Sequence, residues 1–320
     1  PGPHRDGNPP MSTSTRVLVT PRSLTEGGLD AVHELDPLRH RGLELVSGPP
    51  GRLPTEDELL DLVPGCVAWL AGVERISDRV LRAATGLRVI SRNGTGTDSI
   101  DMAAAERAGV RVERAAGANA QGVAELTLAL TMCALRHVLW TSAALRQGRW
   151  ERSQGSELAE CTIGVVGLGA VGLRVAGVFT ALGADVVAHD PFVTDASVRL
   201  VDLDDLLATS HVVSLHCPPS SDGHALIGAD RLAATARGTV LVNTARSALV
   251  DDDAVLAALE DGTLAAYAVD AFDSEPPDLT PLLRHHRVIA TPHIGGYTTA
   301  SVSRATSQAV HNIVTVLGLG

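Results

Sequence analysis

A short apolar run, Ile163 to Val166, opens directly into Gly167-Leu-Gly169-Ala-Val-Gly172, and few folds accommodate that succession. A helical pattern follows in Leu173, Val175, Ala176, Val178 and Phe179. A second apolar run, Asp185 to His189, then ends at Asp190. Strand, glycine turn, helix, strand and acid in this order form a dinucleotide-binding unit. Gly167 permits the tight turn, Gly169 lets a pyrophosphate approach the backbone, and Gly172 lets the helix pack closely on the strand. Ala170 and Val171 complete the turn. The helix N-terminus offers unpaired N–H groups and a positive dipole end to the anion. Asp190 is suited to the ribose hydroxyls and would repel a 2′-phosphate, so the expected cofactor is NAD.

The rest of the chain alternates in the same style. Strands are expected at Val17–Thr20, Leu43–Val46, Val67–Leu70, Leu87–Ile90 and Val110–Val112, with helical patterns at Thr55–Leu62, Asp78–Ala84 and Met102–Ala108. This describes a small doubly wound α/β unit. One long helix is expected from Asn119 to about Gln147. Six strands then follow, at Thr162–Val166, Asp185–Ala188, Val212–His216, Val240–Asn243, Ala266–Val269 and Val288–Ala290, as a parallel sheet in dinucleotide-binding order. A last helix is expected from Thr299 to Leu317. The fold class is therefore α/β with two doubly wound domains. With aromatics at only 2%, Leu, Val and Ala must fill both cores.

Composition removes several classes of function. Against 26 basic residues stand 37 acidic ones, a net charge of −11, which disfavours nucleic acid and anionic membrane surfaces as partners. The chain has no lysine, so Schiff-base and other lysine-dependent chemistry is excluded. Cys66, Cys133, Cys161 and Cys217 lack metal-ligand spacing. No metal site is expected, and free thiols point to a reducing cytoplasm. The apolar run Leu126–Leu135 is too short to span a bilayer. Residues 1–15 lack the apolar centre of a signal peptide and are expected to form a disordered leader. In the helix from Asn119, residues Leu126, Leu128, Leu130, Met132 and Leu135 cannot share one stripe. More than one face must be covered, and a homodimer is expected.

Further segments follow the glycine turn in fixed order: His216-Cys-Pro-Pro, Asn243-Thr-Ala-Arg246, Asp270-Ala-Phe-Asp-Ser-Glu275-Pro and Thr291-Pro-His293-Ile-Gly-Gly. Upstream lie Arg92-Asn-Gly-Thr-Gly96-Thr-Asp and Asn119-Ala-Gln-Gly-Val-Ala-Glu125-Leu. Together they resemble the D-2-hydroxyacid dehydrogenase family, nearest its D-3-phosphoglycerate dehydrogenase branch, from about Arg16 to the C-terminus. The resemblance implies a Rossmann NAD-binding domain, residues 119–294, inserted into a flavodoxin-like substrate-binding domain, residues 16–118 and 295–320. It implies hydride transfer between a D-2-hydroxy acid and its 2-keto acid, with D-3-phosphoglycerate as the leading specific substrate.

Such a reaction needs a cation for the carboxylate, a group that polarises the carbonyl, and an acid–base for the alkoxide. Arg246 follows a strand end, and its planar fork suits a carboxylate; by resemblance it is the family arginine. His293 titrates near neutrality and can give or take a proton. Glu275 is either its partner or a solvated loop charge on sequence alone, and the resemblance favours the pairing. By resemblance Asp270 faces the nicotinamide amide; its alternative is to cap the next turn. His216, Cys217, Pro218, Thr244, Ala245 and Gly295 complete the expected cofactor set. On the substrate side, the N–H groups of Thr95 and Gly96 form an anion nest. Asn119 is a ligand contact or simply an N-cap. Arg92 meets a distal anion or pairs with a neighbouring acid.

Three departures from the family stand out. Where it often has a Thr near the end of the phosphate-side loop, this chain has Gly223. Arg246 is followed by Ser247 where Gly is usual. The loop Leu70–Arg75 offers only Arg75 where the phosphoglycerate enzymes place an earlier arginine, which weighs against a phosphorylated substrate. A second enzyme reading is oxidation of formate or phosphite on the same fold; by resemblance formate enzymes carry Gln in place of the His-paired Glu, so Glu275 argues against them. A non-catalytic, corepressor-like NAD-binding role is the alternative from another class.

Overall fold

Strand residues in both halves of the chain alternate between two cores. In the run Thr239–Asn243, Val240 and Val242 join one apolar cluster and Leu241 joins another. In Arg16–Val19, Val17 and Val19 face one cluster and Leu18 the other. A strand buried on both faces reads as an unbroken apolar run, the signature of a parallel sheet covered by helices. The computed structural model describes residues 15–220 and 222–320, so the leader expected at 1–15 lies, but for its last residue, outside the described residues. The chain divides into two compact units, one of Pro1–Asn119 with Thr299–Gly320 and the other of Ala120–Thr298.

The first unit holds five parallel strands: β1 Arg16–Val19, β2 Glu44–Ser47, β3 Cys66–Ala71, β4 Val89–Arg92 and β5 Arg111–Arg114. Their order is β2-β1-β3-β4-β5, the flavodoxin-like arrangement. Its helices start on side-chain caps: Thr55 and Glu58 form a capping box before Glu56–Leu62, Ser77 caps Asp78–Ala83, and Asp101 caps Met102–Arg107. The last helix, Thr299–Leu317, buries Ala309, Val310, Ile313 and Val314 in the same core as Val17, Val19 and Leu70.

The second unit holds seven parallel strands: β6 Thr162–Val166, β7 Asp185–His189, β8 Arg199–Leu200, β9 Val212–Leu215, β10 Thr239–Asn243, β11 Leu264–Val269 and β12 Val288–Ala290. Their order is β12-β11-β10-β9-β6-β7-β8, so the chain steps outward from β6 to one side and then returns to the other. That is the Rossmann order, with one strand beyond the six expected. The extra strand, β8, is a two-residue edge pairing with β7, too short to show a period in sequence.

The expected single helix from Asn119 to Gln147 is instead two, Ala120–Leu135 and Val138–Arg146, meeting at an angle of 61°. His137 sits between them in the left-handed region, φ 53°. The cause is tertiary. The Leu135 carbonyl, which a continuous helix would commit to Leu139, accepts a hydrogen bond from the Ser156 N–H at 3.2 Å. Gly155 approaches so closely that a Cβ there would lie 2.4 Å from the same oxygen. The stripe argument changes with it. Leu130 and Leu135 are buried, and Leu126, Leu128 and Met132 pack against the core, while Val138, Leu139 and Leu145 of the second helix are exposed. Among the described residues no single helix is long and apolar enough to cross a membrane.

Candidate active site

The glycine turn lies where the Rossmann sheet changes direction, between β6 and β9. Gly167 adopts φ 93°, and a Cβ there would come within 2.8 Å of the His216 carbonyl and 2.9 Å of the Cys217 nitrogen. At Gly172 a Cβ would lie 1.9 Å from the Gly167 oxygen, so the helix Gly172–Ala181 can start here only without a side chain. Gly169 is different. Nothing lies within 4 Å of its Cβ position, and both it and Ala170 are exposed. The glycine there answers to no protein neighbour, as expected where a ligand pyrophosphate approaches the backbone. Asp190 Oδ2 accepts the Leu168 N–H at 2.8 Å and Oδ1 the Phe192 N–H at 2.9 Å. The carboxylate is thus held against the turn with lone pairs to spare. This cradle fits a dinucleotide.

His216 and Cys217 flank the turn. The His216 Nε2 lies 2.7 Å from the Ser214 hydroxyl, and desolvation pushes its pKa down to about 3, so the ring stays neutral. Burial raises the Cys217 thiol, and the charge of Asp190 adds to the effect. Pro218 is exposed beside them.

The three strands beyond β9 end in the residues expected to do chemistry. Past β10, the buried Asn243 side chain builds the turn: its amide donates to the Arg246 carbonyl at 2.8 Å, and its Oδ1 accepts the Ala245 N–H at 3.1 Å. The Thr244 hydroxyl lies 2.9 Å from that of Thr127. Arg246 is half-buried, with NH1 donating to the Ala245 carbonyl at 2.8 Å. The Ser247 hydroxyl donates to Asp273 Oδ1, tying this turn to the loop that carries Glu275.

Asp270 follows β11 and is 2% exposed. Its Oδ1 accepts the Thr291 hydroxyl at 2.6 Å and the Ile294 N–H at 2.9 Å, and its Oδ2 accepts the Gly295 N–H at 2.7 Å. These donors bracket His293, which follows β12 and has φ 52°. Gly295 packs tightly: a Cβ there would meet Asp270 Oδ2 at 3.0 Å and Val123 at 3.4 Å. The His293 Nδ1 and Glu275 Oε1 are hydrogen-bonded, with both side chains partly open to solvent. Of the two alternatives left by sequence, partner or solvated charge, Glu275 is therefore the partner. The bond commits Nδ1, so Nε2 is the ring nitrogen outside the pair. Neighbouring strands lie roughly 4.8 Å apart, so β10 and β12 are separated by roughly 10 Å.

In the first unit, Arg92 ends β4 buried, and the loop after it carries Thr95 and Gly96. Neither N–H of that pair donates to another group among the described residues. The Thr95 hydroxyl donates to Asn119 Oδ1 at 3.3 Å. No three His, Cys, Asp or Glu side chains cluster as metal ligands among the described residues.

Sequence reasoning missed the Asn243 turn, the Ser247–Asp273 tie and the triple hydrogen bonding of Asp270. Asn243 and Asp270 did carry a signal, since each is a polar residue directly after an apolar run, Val240–Val242 and Leu264–Val269.

Residues 128–295 match the family model described as D-isomer specific 2-hydroxyacid dehydrogenase, NAD binding domain. The D-3-phosphoglycerate dehydrogenase of Mycobacterium tuberculosis is 38% identical over 268 residues, covering 81% of this chain and 51% of that protein, so the chain spans about half the length of such relatives. The hydroxypyruvate reductase of Thermotoga maritima is 33% identical over 301 residues, covering 90% of this chain and 98% of that one. A crystal structure of a Thermus thermophilus protein superimposes with a TM-score of 0.85 at 37% identity, covering 95% of this chain and 97% of the other. The chain belongs to the D-isomer specific 2-hydroxyacid dehydrogenase family and carries that family's NAD-binding domain.

Proposed function

We propose that the protein is an NAD-dependent oxidoreductase that interconverts a D-2-hydroxy acid and its 2-keto acid. The observation that carries this reading is the His293–Glu275 hydrogen bond, on a loop stapled by Asp270, two strands from the Arg246 turn. Residues 119–294 bind the cofactor; residues 16–118 and 295–320 bind the substrate. Bound NAD supplies the hydride chemistry. Arg246 holds the carboxylate through its planar fork and polarises the 2-carbonyl. His293 protonates the forming alkoxide from Nε2 in reduction and removes that proton in oxidation. Glu275 accepts the Nδ1–H, which sets the tautomer and ring orientation. Thr95, Gly96, Arg92 and Asn119 are the substrate-side contacts, and Asp190 selects NAD over NADP.

The reading extends to a cytoplasmic homodimer. Val138, Leu139 and Leu145 on one helix and Trp150 beyond it, 81% exposed, are large apolar side chains left in solvent that a second copy would cover. Sedimentation at micromolar concentration showing only a 33.2 kDa species would contradict the dimer. The activity is tested with a panel of 2-keto acids and NADH, followed as loss of nicotinamide absorbance. If NADH binds but no acid in the panel is reduced, the reading is wrong.

A further inference from the structure

Arg246 and Glu275 stand on segments that are held very differently. The turn after β10 is fixed from several sides. The Arg246 carbonyl accepts the Asn243 amide at 2.8 Å and the Leu249 N–H at 3.2 Å, and the Ser247 carbonyl accepts the Val250 N–H at 3.0 Å. Leu249 is fully buried, and its own carbonyl accepts the Ile227 N–H at 2.9 Å. Ser247 therefore projects from a backbone that has little freedom to move.

The segment 271–277, which carries Glu275, has no such support. The Asp270 N–H before it donates to the Asn243 carbonyl at 3.1 Å, and Thr280 beyond it caps the helix Pro281–Arg284. Between those points no backbone group of residues 271–277 hydrogen-bonds to the rest of the chain among the described residues. Pro276 and Pro277 have no N–H to give. Ala271 is buried and Phe272 packs against the core. Past Phe272, two side-chain hydrogen bonds tie the segment down: Asp273 Oδ1 accepts the Ser247 hydroxyl, and Glu275 Oε1 pairs with His293 Nδ1.

The second of these bonds changes strength as the imidazole gains and loses its proton, so it is a poor anchor for the carboxylate that makes it. The first does not involve the histidine. It lies two residues from Glu275 and joins a neutral hydroxyl to a carboxylate, a stronger combination than two neutral groups. A glycine, usual at this position in the family, has no side chain to reach Asp273.

We propose that Ser247 and Asp273 are positioning residues: their hydrogen bond holds the Glu275 segment against the Arg246 turn, and through Glu275 it sets the orientation of the His293 ring. The inference rests on the dehydrogenase reading and adds to it two residues that touch no substrate.

The test measures kcat and KM for a reducible 2-keto acid, NADH affinity by fluorescence, and melting temperature. Ser247→Ala and Asp273→Ala remove the bond from opposite sides, so one serves if the other fails to fold. Each should lower kcat by roughly three- to tenfold, the factor that one net hydrogen bond is worth. KM and NADH affinity should stay near wild type, and the double variant should be little worse than either single one. Ser247→Thr, which keeps the hydroxyl, should recover most of the loss. Placed in a His293→Ala background, Ser247→Ala should cost nothing further in single turnover, because no imidazole remains to be oriented. Wild-type kcat in both alanine variants overturns the proposal. So does a loss that persists in the His293→Ala background, which would assign the bond to the Arg246 turn instead. If the wild type binds NADH but reduces no acid in a panel, the dehydrogenase reading itself has failed, and the positioning role with it.

Discussion

Asp270→Asn separates the loop-holding role of this residue from any contact with cofactor. The carboxylate collects three donors, two on Oδ1 and one on Oδ2, all from the segment that carries His293. An asparagine keeps its oxygen where two donors converge, which turns its NH₂ toward the Gly295 N–H. Two donors then face each other across a distance that was a 2.7 Å hydrogen bond. The loss of a hydrogen bond to a charged group is about 1.5–3 kcal/mol, and a buried N–H left unpaired adds about 1–3 kcal/mol. If the loop held its place, melting would drop by several degrees, at roughly 2–4 °C per kcal/mol in a domain of this size. If the loop relaxed instead, His293 would move, and a shift of about 1 Å costs on the order of 10²-fold in rate. Calorimetry and single-turnover reduction of a 2-keto acid measure the two outcomes, and NADH titration gives a third number. Wild-type melting together with wild-type turnover would refute the reasoning. A defect confined to NADH affinity would assign Asp270 to the cofactor instead.

The pair itself should behave as one unit. His293→Ala is expected to cut turnover by roughly 10²–10⁴-fold with NADH affinity little changed, and adding Glu275→Gln should cost little more. If the two losses multiply, Glu275 has a separate task. Asp190→Ala should narrow the ratio of kcat/KM between NAD and NADP; a wild type that favours NADP would contradict the assignment. The neutral ring of His216 gives a pH signature. Its pKa in the folded protein is about 3 against 6.5 for the free side chain. As pH falls from 6.5 toward 3 the unfolded chain takes up a proton that the folded protein refuses, so stability is lost toward acid. His216→Gln should flatten the fall in melting temperature between pH 7 and 4. An equally steep acid limb in the variant would show that His216 is not its source.

Strand positions were legible where the strand is buried on both faces, as in β3, β9 and β10; a run such as Val240-Leu-Val-Asn reads as a strand by its short length and β-branched residues. Their order in the Rossmann sheet followed from the glycine turn, which marks β6 as the strand from which the chain departs. The break at His137 was not legible. No glycine or proline announces it, and its cause is the approach of Gly155 and Ser156, residues that only the folded chain brings to Leu135. Sequence also left β8 unseen, because two residues pairing at an edge leave no period.

The site divides along the same physical line. Residues fixed by local geometry could be read: the glycines of the turn, the acid after β7, the arginine after β10. Residues whose purpose is to hold another segment could not. Asp270 and Thr291 belong to neighbouring strand ends, and only the pairing of β11 with β12 turns them into a staple.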